Sequence, residues 1–364
     1  MCKYFLVCVY IHTEYFSILQ DYGIKKLPKS TENRQKNAIL VFGPTASGKT
    51  SFGISLAQSL KNKDQSLKPV ILNADSLQIY KGLPILTACP TREEYDTLLH
   101  EHFEILHPNQ AMSVGEWWQM TMSYLQAMDQ NTMPIIIGGT GFYLKSFVEG
   151  LPNTPEADFE IREALNQEQE EIGQEAFYKK LEVLDPQMAE KLEPNDKQRV
   201  LRAMEVLKST GKSLSWWHSQ PPKKPDFEIN TAYIQLSPDR EWLYERCNRR
   251  FDLMVGDIDA DNSVLTEIDS FIETYGSDDF DLCRKAIGFD ELKKFQTGDL
   301  DLNEAIEKAK QRTRNYAKRQ SSWSRTQMNF EKDVAFWRSL PENFYTQNQN
   351  INDLADQILK KLKQ

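Results

Sequence analysis

The sequence predicts an α/β protein: a parallel sheet flanked by helices, carrying a phosphate-binding loop, with an all-helical insertion. Three observations point there. The apolar run Ala38-Ile39-Leu40-Val41-Phe42 leads into Gly43-Pro44-Thr45-Ala46-Ser47-Gly48-Lys49-Thr50 and then into an apolar-periodic stretch, Ser51 to Leu60. That is the strand–loop–helix context of a G-x-x-x-x-G-K-[ST] P-loop. Two further short apolar runs, Pro69–Ala74 and Pro134–Ile137, end in residues suited to chemistry, Asp75 and Gly138-Gly139-Thr140-Gly141. From Pro152 the texture turns acidic and helical until an apolar strand, Thr231–Leu236, returns.

The chemistry of the first loop follows from its composition. Its glycines let successive backbone N–H groups curl around a phosphate, and the following helix N-terminus adds partial positive charge. Gly43, Thr45, Ala46, Ser47, Gly48, Lys49 and Thr50 are therefore candidate phosphate ligands, with Lys49 supplying a full charge and the Thr50 hydroxyl a place for Mg²⁺. Which molecule owns the phosphate is open at this point. Asp75, ending a predicted parallel strand, sits on the ligand-bearing edge of an open sheet. It fits a metal ligand, a general base or a helix N-cap. Thr140 offers a hydroxyl on the same edge, where paired glycines permit close backbone approach or simply a tight turn.

At 364 residues and a net charge of −9, the chain is long enough for two domains and has no global nucleic-acid signature. The charge is uneven, with 12 acidic and 4 basic side chains between Glu156 and Glu193. Five cysteines, Cys2, Cys8, Cys89, Cys247 and Cys283, form no C-x-x-C pair, as expected of a reduced cytoplasmic protein without disulfides or a zinc site. No membrane association is expected, because the apolar run before the loop is too short to span one. Met1 to Leu19 is aromatic and β-branched but interrupted by Lys3, His12 and Glu14, which argues against a secretory signal. Residues 1–37 are expected to be a leader, a mobile tail or the product of too early a start.

Further along, Lys25 to Asn37 reads as a linker and His102 to Leu106 as a short strand. Ser113 is placed to cap a helix carrying Val114, Trp117, Trp118, Met120, Met122 and Leu125, an apolar stripe that belongs in a core. Phe142–Val148 reads as helix. Leu165, Ile172, Phe177, Leu181, Leu184, Met188 and Leu192 pattern the acidic stretch as helices broken at Asp185-Pro186 and Pro194-Asn195-Asp196. Lys197 to Leu207 is an amphipathic helix with Gln198, Arg199 and Arg202 on its polar face and Gly211 as its cap. Residues 156–230 thus form a helical insertion between 38–155 and 231–364. Ser237-Pro238-Asp239-Arg240 opens a helix bearing Arg246, Arg249 and Arg250. After a polar, glycine-poor loop, Glu304 to Met328 is a long helix with seven basic and no acidic residues between Lys308 and Arg325. In an acidic protein that is an electrostatic footprint for a polyanion. Asn350 to Lys363 reads as a last helix.

These pieces together resemble the tRNA dimethylallyltransferase (isopentenyl-tRNA transferase) family, bacterial type. The resemblance rests on Gly43–Thr50, Asp75-Ser76-Leu77-Gln78-Ile79-Tyr80-Lys81-Gly82, Gly139-Thr140-Gly141-Phe142-Tyr143, Gln198-Arg199-Val200-Leu201-Arg202-Ala203, Ala286-Ile287-Gly288-Phe289 and Arg314-Asn315-Tyr316-Ala317-Lys318-Arg319-Gln320. It covers the chain from about residue 38 onward. It implies a P-loop kinase-like fold and transfer of a dimethylallyl group from dimethylallyl diphosphate to the exocyclic amine of the adenosine 3′-adjacent to the anticodon in tRNA, with Mg²⁺. By the same resemblance, Asp75 is the catalytic carboxylate, Thr140 and Arg162 contact substrate, and Ser76, Leu77 and Gln78 contact tRNA. Gln198, Arg199, Val200, Leu201 and Arg202 form a second tRNA-contacting block. Arg240 is expected at the diphosphate, and Arg314, Lys318 and Arg319, with Tyr316, at the anticodon stem-loop. A monomer is expected.

Two departures stand out. The family has Ile-Gly-Thr-Ala-Lys-Pro where this chain has Ile85-Leu86-Thr87-Ala88-Cys89-Pro90, and Asp257 to Asp278 is unusually acidic. Rival readings are a transferase acting on free adenine nucleotides, a P-loop nucleotide kinase, and a non-catalytic tRNA-binding protein. The insertion and the basic helix argue against the first, since a small acceptor needs neither. A kinase would make Asp75 a metal ligand and consume ATP. The intact Gly43, Gly48, Lys49, Thr50 and Asp75 argue against the third.

Overall fold

The computed structural model describes residues 35–155, 158–256, 260, 263–276 and 285–362. They fall into two compact units, one formed within Met1–Val148 and Asp226–Gln364, the other within Glu149–Pro225. In the first unit, strands β1 (Lys36–Phe42), β2 (Lys68–Asn73), β3 (His100–Glu101), β4 (Thr132–Gly138), β5 (Ile229–Leu236) and β6 (Phe336–Leu340) form one sheet in the order β3-β2-β4-β1-β5-β6. All neighbours are parallel. The middle strands are mostly apolar along their central residues because helices cover both faces of a parallel sheet. The register Ile39↔Ile135 and Val41↔Ile137 continues across the sheet as Ile39↔Ala232 and Val41↔Ile234.

Helix α1 (Lys49–Lys63) follows β1, with α2 (Val114–Ala127) and α3 (Gly141–Glu149) on either side of β4. Ser113 caps α2 through a reciprocal box with Glu116, and the stripe expected to be core is buried from Trp117 to Leu125. Trp117 stacks on Tyr143 of α3 at 4.6 Å and donates its indole N–H to the Asn73 carbonyl at 2.9 Å.

In the second unit, α4 (Phe159–Ile172), α5 (Gln174–Leu184) and α6 (Lys197–Thr210) enclose Leu165, Phe177, Leu181, Val200, Leu201 and Met204. Pro186 stops α5, and buried Asp185 accepts from the backbone of Met188 and Ser215. Gly211 ends α6 at φ 67°. The unit spans 149–225 rather than 156–230, since Leu151 pairs with Lys223 and residues 229–230 already belong to β5.

The remaining helices return to the first unit. These are α7 (Arg240–Val255), α8 (Val264–Tyr275), α9 (Phe289–Gln296), α10 (Leu302–Gln327) and α11 (Asn348–Leu362). Ile351, Leu354 and Ile358 of α11 join Phe52, Leu56 and Leu60 of α1 in the core on one sheet face. A second core joins Leu83 and Leu86 to Phe251, Phe271, Phe289 and Ala309 from α7, α8, α9 and α10.

Several expectations need correction. Lys36 and Asn37 lie in β1 rather than in a linker, because the Lys36 ammonium donates to the Met128 carbonyl at 2.8 Å and is satisfied where it is buried. His102 to Leu106 is not a strand. His102 and Glu104 have φ of 68° and 49°, and the backbone N–H groups of Glu104 and Ile105 donate instead to the Gln78 and Ile79 carbonyls. The polar loop before Ala286 contains α8, capped by Ser263, whose apolar residues recur at helical spacing. Strand β6 was not foreseen, because its Arg338 and Ser339 are exposed and break any apolar run. Cys89 and Cys247 are free and buried. Cys2, Cys8, Cys283, most of the leader and the residues 257–259 and 277–284 lie outside the described residues.

The loop after β4 lies against the end of β2. A Cβ on Gly138 would stand 1.9 Å from the Ala74 carbonyl oxygen, a backbone atom that cannot step aside. Gly138→Ala should lower the unfolding free energy by about 3 kcal/mol, read as an earlier midpoint in chemical denaturation.

Candidate active site

Three loops meet at the C-terminal edge of the sheet, after β1, β2 and β4. The loop after β1 is shaped by Ala46 and Gly48, both at positive φ (63° and 86°), with Gly48 leading directly into α1. Ser47 is fully buried and its hydroxyl has no protein partner. Its backbone N–H donates to the Pro44 carbonyl at 3.1 Å. Ala46 and Ser47 are both buried, so neither side chain is open to solvent.

Positive charge converges on this loop from α7. Arg250 donates to the Thr45 hydroxyl at 2.8 Å, and Arg246 donates through Nε to the Ala46 carbonyl at 2.9 Å. Burial pulls the Lys49 ammonium down to about 8, with Asp75 opposing the shift and Arg250 adding to it. Burial likewise lowers Arg250, again with Asp75 opposing. Arg240, expected here, is exposed and lies over the Tyr244 ring at 5.1 Å. One helical turn decides this: residues 246 and 250 share the face of α7 turned to the loop, and residue 240 heads the helix in solvent.

After β2, Asp75 is held by its neighbours. Its backbone N–H donates to Asn73 Oδ1 at 2.8 Å, and its own Oδ1 accepts from the Leu77 N–H at 3.0 Å. That leaves Oδ2 for a ligand. Thr140, after β4, uses its hydroxyl to accept the Ser76 N–H at 2.9 Å and to donate to the Ser76 hydroxyl at 3.2 Å. It therefore locks two loops together. Leu77 packs on the core of α7–α10, and Gln78 donates its amide to the Thr87 and Ala88 carbonyls at 3.0 and 2.6 Å.

Gln320 of α10 was not singled out from the sequence and proves central. Its Oε1 accepts the Thr45 N–H at 2.8 Å while its Nε2 donates to the Gly139 carbonyl at 2.9 Å. Tyr316, one turn earlier, is pushed up by burial and by Asp75, and Arg319 lies over its ring at 5.7 Å. Of the seven basic residues on α10, three are held by carboxylate or amide partners and are not exposed. Lys310 pairs with Asp252 and Glu307, Arg312 with Glu291, and Arg314 donates to Asn248. Lys308, Lys318, Arg319 and Arg325 are exposed.

In the second unit, Arg162 and Arg202 both reach the buried carboxylate of Glu205, at 3.4 and 3.3 Å. Arg199 pairs with Asp196 at 3.4 Å and Gln198 is exposed. Val200 and Leu201 are core residues of this unit, so their side chains offer nothing to a ligand.

The oxygens around the first loop, the Thr50 hydroxyl and Asp75 Oδ2, are hard donors. Among the described residues there is no cluster of three His, Cys, Asp or Glu side chains. Such a set suits Mg²⁺, which binds through phosphates, waters and one or two protein oxygens, and does not suit a zinc-type centre.

The sequence model of the IPP transferase family matches residues 78–327. A tRNA dimethylallyltransferase of Pelagibacter ubique is 34% identical over 299 residues, 81% of this chain and 90% of that protein. One from Parvibaculum lavamentivorans is 36% identical over 292 residues, 80% and 88% of the two chains. The crystal structure of the full-length tRNA isopentenylpyrophosphate transferase from Bacillus halodurans superposes with a TM-score of 0.59 at 28% identity, covering 90% of this chain and 97% of that one. A eukaryotic dimethylallyltransferase, solved acting on tRNA, superposes with a TM-score of 0.71 at 26% identity, covering 88% and 77%. By its match to the family model and its identity to these relatives, the chain belongs to the IPP transferase family.

Proposed function

We propose that this protein transfers the dimethylallyl group of dimethylallyl diphosphate to the exocyclic amine of the adenosine 3′-adjacent to the anticodon in tRNA, releasing diphosphate. The observation that carries the reading is the pairing of a cationic cradle, partly buried at Lys49 and Arg250, with a carboxylate. Lys49, Arg246 and Arg250 surround the loop after β1, and Asp75 ends the strand two places away in the sheet. In the reaction, the allylic C–O bond breaks, a C–N bond forms to the adenine amine, and the amine proton passes to Asp75. The departing diphosphate carries concentrated negative charge, which the cradle is placed to stabilise as it develops. Mg²⁺, held by Thr50 and the diphosphate, would add Lewis-acid neutralisation of the same leaving group.

The acceptor base has to leave its stack to reach Asp75, at a cost of about a few kcal/mol. Ser76, Leu77, Gln78 and Thr140 line the approach, with Thr140 and Ser76 fixing each other. Exposed Lys318 and Arg319 on α10, and Gln198, Arg199, Arg162 and Arg202 in the helical unit, supply backbone contacts to the anticodon stem-loop. The reading includes a monomer in the cytoplasm, where tRNA is modified. Among the described residues, no helix is long and apolar enough to cross a membrane.

Two measurements test it. Labelled dimethylallyl diphosphate with bulk unmodified tRNA should give labelled tRNA, while AMP and ADP in parallel stay unlabelled. Asp75→Ala should lose about 10²–10⁴-fold in kcat while tRNA binding holds. Wild-type turnover in that variant would remove Asp75 as the base.

The cradle makes a second prediction. Arg250→Ala should cost about 10²-fold in kcat/KM for dimethylallyl diphosphate, and Arg240→Ala should stay within about twofold of wild type in the same steady-state assay.

A further inference from the structure

The segment Pro84 to Pro90 lies against Gln78 and holds its side chain. It forms one helical turn, Pro84–Thr87, followed by Ala88 at φ 51°. Leu86 is buried among Phe251, Phe271 and Phe289. At its front, the backbone N–H groups of Ile85 and Leu86 both donate to one carboxylate, Glu267 of α8, at 2.6 Å to Oε1 and 2.9 Å to Oε2. At its back, the Thr87 and Ala88 carbonyls accept the two amide protons of Gln78 at 3.0 and 2.6 Å. The Cys89 thiol, pushed up to about 12 by burial, approaches the Gln78 carbonyl at 3.7 Å.

This arrangement fixes the polarity of Gln78. A side-chain amide has two donor protons and one acceptor oxygen. Both protons are committed to carbonyls, so the orientation follows from the hydrogen bonds and Oε1 alone is left to meet a ligand. An acceptor three residues after Asp75 suits a nucleobase edge bearing an N–H.

We propose that Glu267 is a positioning residue which, by clamping the 84–88 turn, presents Gln78 as a pure acceptor to an N–H edge of a base in the bound RNA loop. The inference rests on the tRNA reading above. Glu267 touches neither substrate. It acts through the turn's backbone, so its removal leaves the diphosphate cradle as it is.

Glu267 also titrates in a useful range. Burial lifts its carboxyl to about 7, against the pull of the two N–H groups, and Glu104 adds to the rise. The other groups near it are Cys89, and Lys81 beside Glu104, itself raised by burial. The ionised carboxylate accepts both N–H groups. The protonated acid keeps one clean acceptor, as does the amide of Glu267→Gln. Ionised Glu267 therefore exists above about pH 7, and the variant mimics the state below it.

The experiment is steady-state transfer to unmodified tRNA by wild type, Glu267→Gln, Gln78→Leu and the double variant, from pH 6 to pH 8.5. Glu267→Gln should raise the KM for tRNA about tenfold at pH 8 while the KM for dimethylallyl diphosphate is unchanged, and should converge on wild type by pH 6. The double variant should be no worse than Gln78→Leu alone, because Glu267 works through Gln78. An unchanged tRNA KM at pH 8, equal rises in both KM values, or full additivity in the double variant would overturn the proposal. Absence of transfer by wild type would instead overturn the tRNA reading. A thermal melt of each variant separates loss of fold from loss of positioning, and Gln78→Leu supplies the comparison should Glu267→Gln melt early.

Discussion

One side-chain amide ties the two halves of the site together. Gln320 satisfies a backbone N–H of the loop after β1 and a backbone carbonyl of the loop after β4 in a single plane. A side-chain amide offers a donor and an acceptor at a fixed separation, and each buried partner left alone would cost about 1–3 kcal/mol. The spacing between the phosphate loop and the Thr140 loop is therefore set by α10. That helix is in turn fixed on α9 and α7 through Arg312–Glu291 and Arg314–Asn248. The helix that turns Lys318 and Arg319 outward is thus anchored to the loops after β1 and β4.

The central strands and the loops they end in were legible in the sequence for a simple reason. A parallel strand covered on both faces is a continuous apolar run, and a phosphate loop needs glycines that stand out from any background. Asp75 and Thr140 could be placed on one sheet edge because topology puts strand ends there. What could not be read was pairing at a distance. Arg246 and Arg250 differ from Arg240 only in which face of α7 they occupy, and no local pattern says which face meets the loop. Gln320 looks like any polar residue on a basic helix until the loops it bridges are seen. Strand β6 has no apolar run to announce it, and the two positive-φ residues that prevent His102–Leu106 from pairing as a strand are not glycines.

Seven basic residues on one helix became four exposed ones, because three are spent on carboxylates and an amide within the same unit. Meanwhile the cations that meet the loop after β1, Arg246 and Arg250, lie outside that run. The molecule has two populations of cation. Lys49 and Arg250 are partly buried and lose charge affinity by it, which suits a small polyanion of defined geometry. Lys308, Lys318, Arg319 and Arg325 are exposed and screened by salt, which suits the extended backbone of a nucleic acid. That division corresponds to the two substrates of the proposed reaction.

The partly buried population also constrains how Asp75 works. Asp75 is the carboxylate whose field opposes the loss of charge on both Lys49 and Arg250. In the proposed reaction those two cations also meet the departing diphosphate, so leaving-group stabilisation and proton removal draw on one set of charges.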